Sequence, residues 1–214
     1  MELIELSSII HDNAKRHGWW DEKRSIDEII ALFHTELSEA FEEYRAGKPM
    51  VYHVCTGGLD NCLCDGHPTM DQGDVCLRDE YRQCNYRRAK PEGIAVELVD
   101  FVIRVLDYVG YYKIITTEVS TLEELVENTP EKAREAKLPE IVAGLHLQTS
   151  RAYAALMDGG ILGENATEHF GRLYGAIGMA CAWIEAQGYD YRAIIMEKHE
   201  YNKTRSYKHG GKVC

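Results

Sequence analysis

The chain has 214 residues and a formal net charge of −11, from 35 Asp and Glu against 24 Lys and Arg. That balance argues against a surface for duplex DNA, RNA or an anionic membrane and for a small partner. With 45% hydrophobic residues the length suits one domain, or one domain with an insertion, and no stretch approaches the roughly 18 apolar residues a membrane span needs.

The N-terminus, MELIELSSIIHDNAKRHGWW, carries early acids and no cleavage-like segment, so it does not read as a signal peptide, and a cytoplasmic location is expected. A helix is predicted over 2–17, followed by Trp19 and Trp20. Either indole could stack on a base, although large aromatics near a helix end commonly belong to a core. A second helix is predicted over 25–46, with Ile26, Ile29, Ile30, Phe33, Leu37, Ala40, Phe41 and Tyr44 forming its apolar stripe. Glu36 sits at the margin of that stripe and Glu39 farther round. His34 is read as satisfying a core hydrogen bond. Gly47-Lys48-Pro49 closes the helix.

Residues 50–90 lose the helical period and become rich in Gly, Asp and turn formers, which reads as an insertion between two core helices. Five of the seven cysteines fall here: Cys55, Cys62, Cys64, Cys76 and Cys84, with His53 and His67 among them. A reducing compartment disfavours disulfides, and a coreless segment of this size can be folded by four thiolate or imidazole ligands on zinc. Cys55, Cys62, Cys64 and Cys76 are the candidate structural Zn²⁺ ligands; reduced, metal-free cysteines are the competing reading. Cys181, in an apolar run, is read as packing.

The third predicted helix, 93–112, holds the most informative pattern. Ile94, Leu98, Phe101, Val102, Val105, Leu106, Tyr108 and Val109 go most of the way round it, while Glu97, Asp100, Arg104 and Asp107 fall within a wedge of roughly 80°. Buried carboxylates require a partner or a metal. Residues i and i+3 share a helix face, so Glu36 with Glu39 and Glu97 with Asp100 would present four carboxylates to one point when the two helices pack together. Such oxygen ligands suit a hard divalent cation such as Mg²⁺, which keeps waters for substrate phosphates, and this points to chemistry on a nucleotide polyphosphate. A di-iron bundle would need Glu-x-x-His pairs, and no histidine here has a glutamate three residues before it.

Further helices are predicted over 131–157, started by Pro130, then over 165–187 and 190–203. IIALFHTELSEAFEEY from Ile29 lines up with IVAGLHLQTSRAYAAL from Ile141, placing His34 over His146 and Ser38 over Ser150. ELVDFVIRVLDYVGY lines up with GAIGMACAWIEAQGY. In this register Glu36, Glu39, Glu97 and Asp100 become Gln148, Arg151, Gly175 and Gly178, so a duplicated helix pair with a degenerate second copy is expected. Gly175 is expected at a close helix contact. A shared helical period without common ancestry is the competing explanation.

The segments HTELSEAFEEYRAGKP, IAVELVDFVIRVLDY and EKHEYNKTRSYKHGGK together resemble the all-α nucleoside triphosphate pyrophosphohydrolases, specifically MazG-like proteins. The resemblance covers most of the chain outside 50–90. It implies an all-α helical bundle that uses Mg²⁺ or Mn²⁺ to split a nucleoside triphosphate into monophosphate and pyrophosphate, commonly as a dimer or tetramer. Glu36, Glu39, Glu97 and Asp100 would be the catalytic metal ligands, and Lys198, Asn202 and Arg205 match the family's Lys/Asn/Arg pattern. A duplicated pair with one degenerate half is similar to the dimeric dUTPase branch. Within the same tail Tyr207 and Lys208 are further candidate substrate contacts, as is Trp20 upstream. From another class, a non-catalytic regulatory or protein-binding bundle with a zinc-stabilised insertion is the alternative function.

Overall fold

The computed structural model describes residues 2–55, 89–113, 120–159 and 165–208. Within them lie α1 (Leu3–Arg16), α2 (Ile26–Arg45), β1 (Tyr52–Cys55), β2 (Ala89–Glu92), α3 (Ile94–Tyr112), α4 (Leu122–Glu127), α5 (Glu131–Arg134), α6 (Leu138–Gly159), α7 (Ala166–Ala186) and α8 (Tyr191–Lys203). The chain is mostly helical, and none of these helices is long and apolar enough to cross a membrane.

α3 is the central helix because it has almost no polar face. Val96, Leu98, Val99, Phe101, Val102, Val105, Leu106 and Val109 are each 0% exposed. Burying a side chain of this kind fully is worth about 1.5–3 kcal/mol, so α3 supplies much of the drive for assembly. It packs on α1, α2, α7 and α8, while α2 meets α6 and α6 meets α7. Phe33 of α2 packs edge-on against Phe101 and Tyr108 of α3, which locks these two helices together one turn away from Glu36.

The start of α3 is fixed by the segment that ends α2. The amides of Ile94 and Ala95 donate to the carbonyls of Pro49 and Met50 at 3.4 and 2.9 Å, satisfying N–H groups that a helix start leaves without partners. Gly93 permits this approach: its φ is +115°, and a Cβ there would lie 2.7 Å from both carbonyl oxygens. β1 and β2 pair antiparallel, Tyr52 opposite Glu92 through Cys55 opposite Ala89, and so bring the chain back beside α2 before α3 begins.

The predicted helix over 131–157 is two helices. Pro139 has no N–H and its ring crowds the preceding turn, so α6 starts beside it at Leu138 and the chain breaks at 135–137. α4 does not follow from periodicity, being only six residues long. Its signal is the capping pair in TLEE: the Glu124 amide donates to Thr121 Oγ1 at 3.2 Å while the Glu124 carboxylate accepts from the Ser120 amide at 2.7 Å. The expectation of a close contact at Gly175 is corrected. Gly175 is exposed, and a Cβ there would have nothing within 4 Å, whereas a Cβ at Gly178 would lie 2.6 Å from the Leu125 carbonyl oxygen. α7 turns its Gly178 side to α4, and that is where the backbones meet closely.

Candidate metal centre

Glu36 comes from the middle of α2, Glu97 and Asp100 from the first two turns of α3. One carboxylate oxygen from each lies within 4.8 Å of the others. Glu36 and Glu97 are each 5% exposed, so two of the three acids are held in the protein interior at the foot of a cleft of about 360 Å³. Glu39 is exposed and stands on the cleft wall rather than in the cluster. Its α2 neighbours explain the difference: Leu37 and Ala40 point into the core, and three residues beyond Glu36 the helix surface has turned outward.

Two of the three acids, Glu36 and the half-buried Asp100, have a cation in direct contact. The Arg104 Nε donates to Glu36, and Lys198 Nζ lies 2.7 Å from Asp100 Oδ2 and 3.4 Å from the Pro91 carbonyl. Lys198 is itself 1% exposed. Burial pushes the Glu97 carboxyl up to about 9, and the neighbouring Asp100 charge adds to the effect. Burial also raises the Glu36 carboxyl, against the opposing pull of Arg104. For Lys198 burial acts downward, yet the charges of Asp100 and Glu97 outweigh it and its ammonium is held above the usual lysine range.

The rim adds Glu42, Glu43 and Glu92 with Lys90, none of which stands out in the sequence. Glu92 and Lys90 arrive there through β2, and no periodicity connects a short strand with two helices. Arg104 is visible as a member of the α3 wedge, but its pairing with Glu36 depends on how α2 and α3 pack. Asp107, the last member of the wedge, lies off the cleft on the wall of the adjoining cavity: His11 Nδ1 lies 2.7 Å from it and the Trp20 Nε1–H donates to it at 2.9 Å.

Trp20, a candidate substrate contact, is placed away from the cleft. Its N–H is committed to Asp107, its ring stacks on Tyr111 at 4.2 Å, and it lines no part of the cleft. Trp19 lines the cleft instead, with the Arg24 guanidinium 5.0 Å from its ring centre. In the tail, Lys198 and Arg205 line the cleft, while Asn202 lines a second cavity beside it. Tyr207 and Lys208 fold away, the Tyr207 hydroxyl donating to Asp21 and the Lys208 amide donating to the His17 carbonyl at 2.9 Å. His34 stacks on His146, their Nδ1 atoms 2.7 Å apart.

The candidate zinc ligands Cys62, Cys64 and Cys76 lie outside the described residues. Cys55 ends β1, and its side chain also lies outside them. His53 Nε2, in the same strand, is 2.8 Å from Glu197 Oε1.

Comparison with known proteins returned no matching family model, no matching curated protein and no matching solved structure. The reading of the cleft rests on its residues.

Proposed function

We propose that the chain is a metal-dependent nucleotide pyrophosphohydrolase, hydrolysing a nucleoside triphosphate to the monophosphate and pyrophosphate. The observation that carries this reading is the convergence of Glu36, Glu97 and Asp100 at the foot of an open cleft that Lys198 and Arg205 also line. Three carboxylates are a hard, all-oxygen donor set, which fits Mg²⁺ or Mn²⁺ better than zinc or iron. Crowding that drives Glu97 up to about 9 is the strain that a divalent charge relieves.

Glu36, Glu97 and Asp100 would hold the cation, with Glu39 and Glu92 on the wall within reach of its waters. A divalent ion bound there supplies Lewis-acid polarisation of phosphate oxygens and an acidified water. The protein's own groups do the rest. Lys198 and Arg205 carry the positive charge that a transferring phosphoryl group needs, and Lys198 is already desolvated, so its field on an anion is strong. The Arg104 guanidinium, planar, rich in donors and paired with Glu36, would supply a further cation for a phosphate oxygen. Trp19 gives a flat apolar wall for the nucleoside.

The second half of the bundle is read as a degenerate duplicate of the first. His34 and His146 occupy equivalent places in the sequence register and stack on one another, as expected of residues beside a local two-fold axis. Gln148, Arg151, Gly175 and Gly178 stand where the first half has acids, so the second half would pack rather than bind a cation.

The test is a panel of ribo- and deoxyribonucleoside triphosphates with Mg²⁺ or Mn²⁺, resolving the phosphate products. Monophosphate with pyrophosphate is expected. Orthophosphate with diphosphate from every active substrate, or no hydrolysis at all, would remove the reading.

A further inference from the structure

The segment that follows α8, residues 204–208, runs back over the connection between α1 and α2 and is fastened there at several points. The Lys208 amide donates to the His17 carbonyl at 2.9 Å, and Lys208 takes a φ of +43°, in the left-handed region, to make that bond. The Tyr207 ring is seated on Gly18, whose φ is +78° and where a Cβ would overlap the ring, so only glycine permits the contact. The Tyr207 hydroxyl donates to Asp21. With 58% of its surface exposed, Tyr207 adds little to the core, yet its hydroxyl and ring are committed to this connection.

The clip joins two residues of the site. Trp19 directly follows Gly18 and Arg205 stands two residues before Tyr207, and both line the acidic cleft and the smaller cavity beside it. Arg205 is half-buried, and among the described residues no ion pair or side-chain hydrogen bond holds its guanidinium. Its place in the cleft depends on where the backbone carries it: upstream its amide donates to the Asn202 carbonyl at 3.3 Å at the end of α8, and downstream lies the clip.

Resting on the pyrophosphohydrolase reading, we propose that Tyr207 is a positioning residue: seated on Gly18 and bonded to Asp21, it holds the tail so that Arg205 stands ready beside the triphosphate. The physical basis is preorganisation. A guanidinium held in place before the anion arrives needs no ordering of the chain on binding, whereas a loose tail must be fixed at the same moment, which weakens both affinity and alignment. Tyr207 acts through Arg205 and touches no substrate atom.

Inorganic tripolyphosphate in Mg²⁺ presents the anion without a nucleoside, so its calorimetric titration reads the clip without turnover. Tyr207→Ala should weaken its binding by about tenfold, and Arg205→Ala by about tenfold or more. Tyr207→Phe, which keeps the ring on Gly18, should recover most of the loss. The deciding comparison is the double variant: because Tyr207 works through Arg205, Tyr207→Ala combined with Arg205→Ala should bind no more weakly than Arg205→Ala alone. Hydrogen exchange over residues 204–208 should rise at least about tenfold in Tyr207→Ala while exchange in α3 stays unchanged, which separates release of the tail from a general loss of the fold. On an active triphosphate, Tyr207→Ala should lower kcat/KM by about 10–100-fold. Undiminished tripolyphosphate binding in Tyr207→Ala, no binding by the wild type, losses that multiply in the double variant, or unchanged exchange of the tail overturns the positioning role. Failure of the pyrophosphohydrolase reading looks different: the tripolyphosphate and exchange results come out as expected, yet no nucleoside triphosphate is cleaved.

Discussion

Lys198 holds its ammonium 2.7 Å from the Asp100 carboxylate while being 1% exposed, so a fully desolvated cation stands against an acid of the candidate metal centre. Breaking a buried pair by removing one partner leaves an uncompensated charge and costs about 3–5 kcal/mol. Lys198→Ala should lower stability by about that amount in chelator. Saturating Mn²⁺ should restore part of the loss, because the ion takes over the neutralising charge, while hydrolysis stays at least about 100-fold down. Urea unfolding with and without Mn²⁺ measures the first, and a turnover assay the second.

The three clustered acids and the wall acid should separate in a Mn²⁺ titration. Glu36→Gln and Asp100→Asn each remove a charge from the cluster, and each should weaken Mn²⁺ binding by about 10–100-fold or more. Glu39→Gln, exposed and outside the cluster, should change it by no more than about threefold. Equal losses at all three positions would show that Glu39 turns inward to join the site.

The two glycines of α7 should respond in opposite directions. Gly178→Val meets the Leu125 carbonyl and the Thr129 hydroxyl, and overpacking against backbone should cost about 1–3 kcal/mol. Gly175→Ala enters open space inside a helix and should stabilise by about 0.5–1 kcal/mol, since alanine has the better helix propensity. Thermal melts of the two variants decide this.

Stability should decline on the acid side through three histidines. His169 is fixed as a neutral ring: Nδ1–H donates to the Ala152 carbonyl at 2.8 Å, which leaves Nε2 to accept from the Tyr108 hydroxyl at 3.0 Å. His34 and His146 share one contact between Nδ1 atoms, which cannot form if both nitrogens carry protons. Burial lowers all three below the ordinary value of 6.5. Groups with depressed folded values favour the fold above pH 6.5, and that contribution disappears as pH falls through the lowered values. The histidine contribution should drop between about pH 6.5 and 5, while the Glu97 carboxyl, raised to about 9, lowers stability as pH climbs toward 9, so unfolding midpoints of the wild type and of a histidine variant are compared at each pH. His34→Asn should flatten part of the drop. An unchanged slope in that variant would place the acid sensitivity at His169 or at His199, which burial lowers as well.

The helices α1, α2, α3, α7 and α8 were legible because their apolar residues recur at helical spacing, and a pattern of period 3.6 needs no knowledge of its neighbours. The acid wedge of α3 was legible for the same reason: on a helix otherwise buried all round, charge can survive only where something compensates it. The break before α6 lay with Pro139, a local steric signal, and α4 lay with the capping pair in TLEE. Both were present in the sequence and hidden by reliance on periodicity alone.

What the sequence by itself determined was which residues share a helix face, and therefore that Glu97 and Asp100 stand on one face of α3 and that Glu36 borders the core. Which cation meets which acid, that Glu39 stays on the wall, that Trp19 rather than Trp20 reaches the cleft, and that Tyr207 closes on Gly18 were decided only by the tertiary structure. The reason is geometric. Periodicity fixes angles around a single axis, whereas a site is defined by distances between axes, and those are set by the packing of Phe33 on Phe101, the close approach at Gly93 and the pairing of two short strands whose partners lie far apart in the chain.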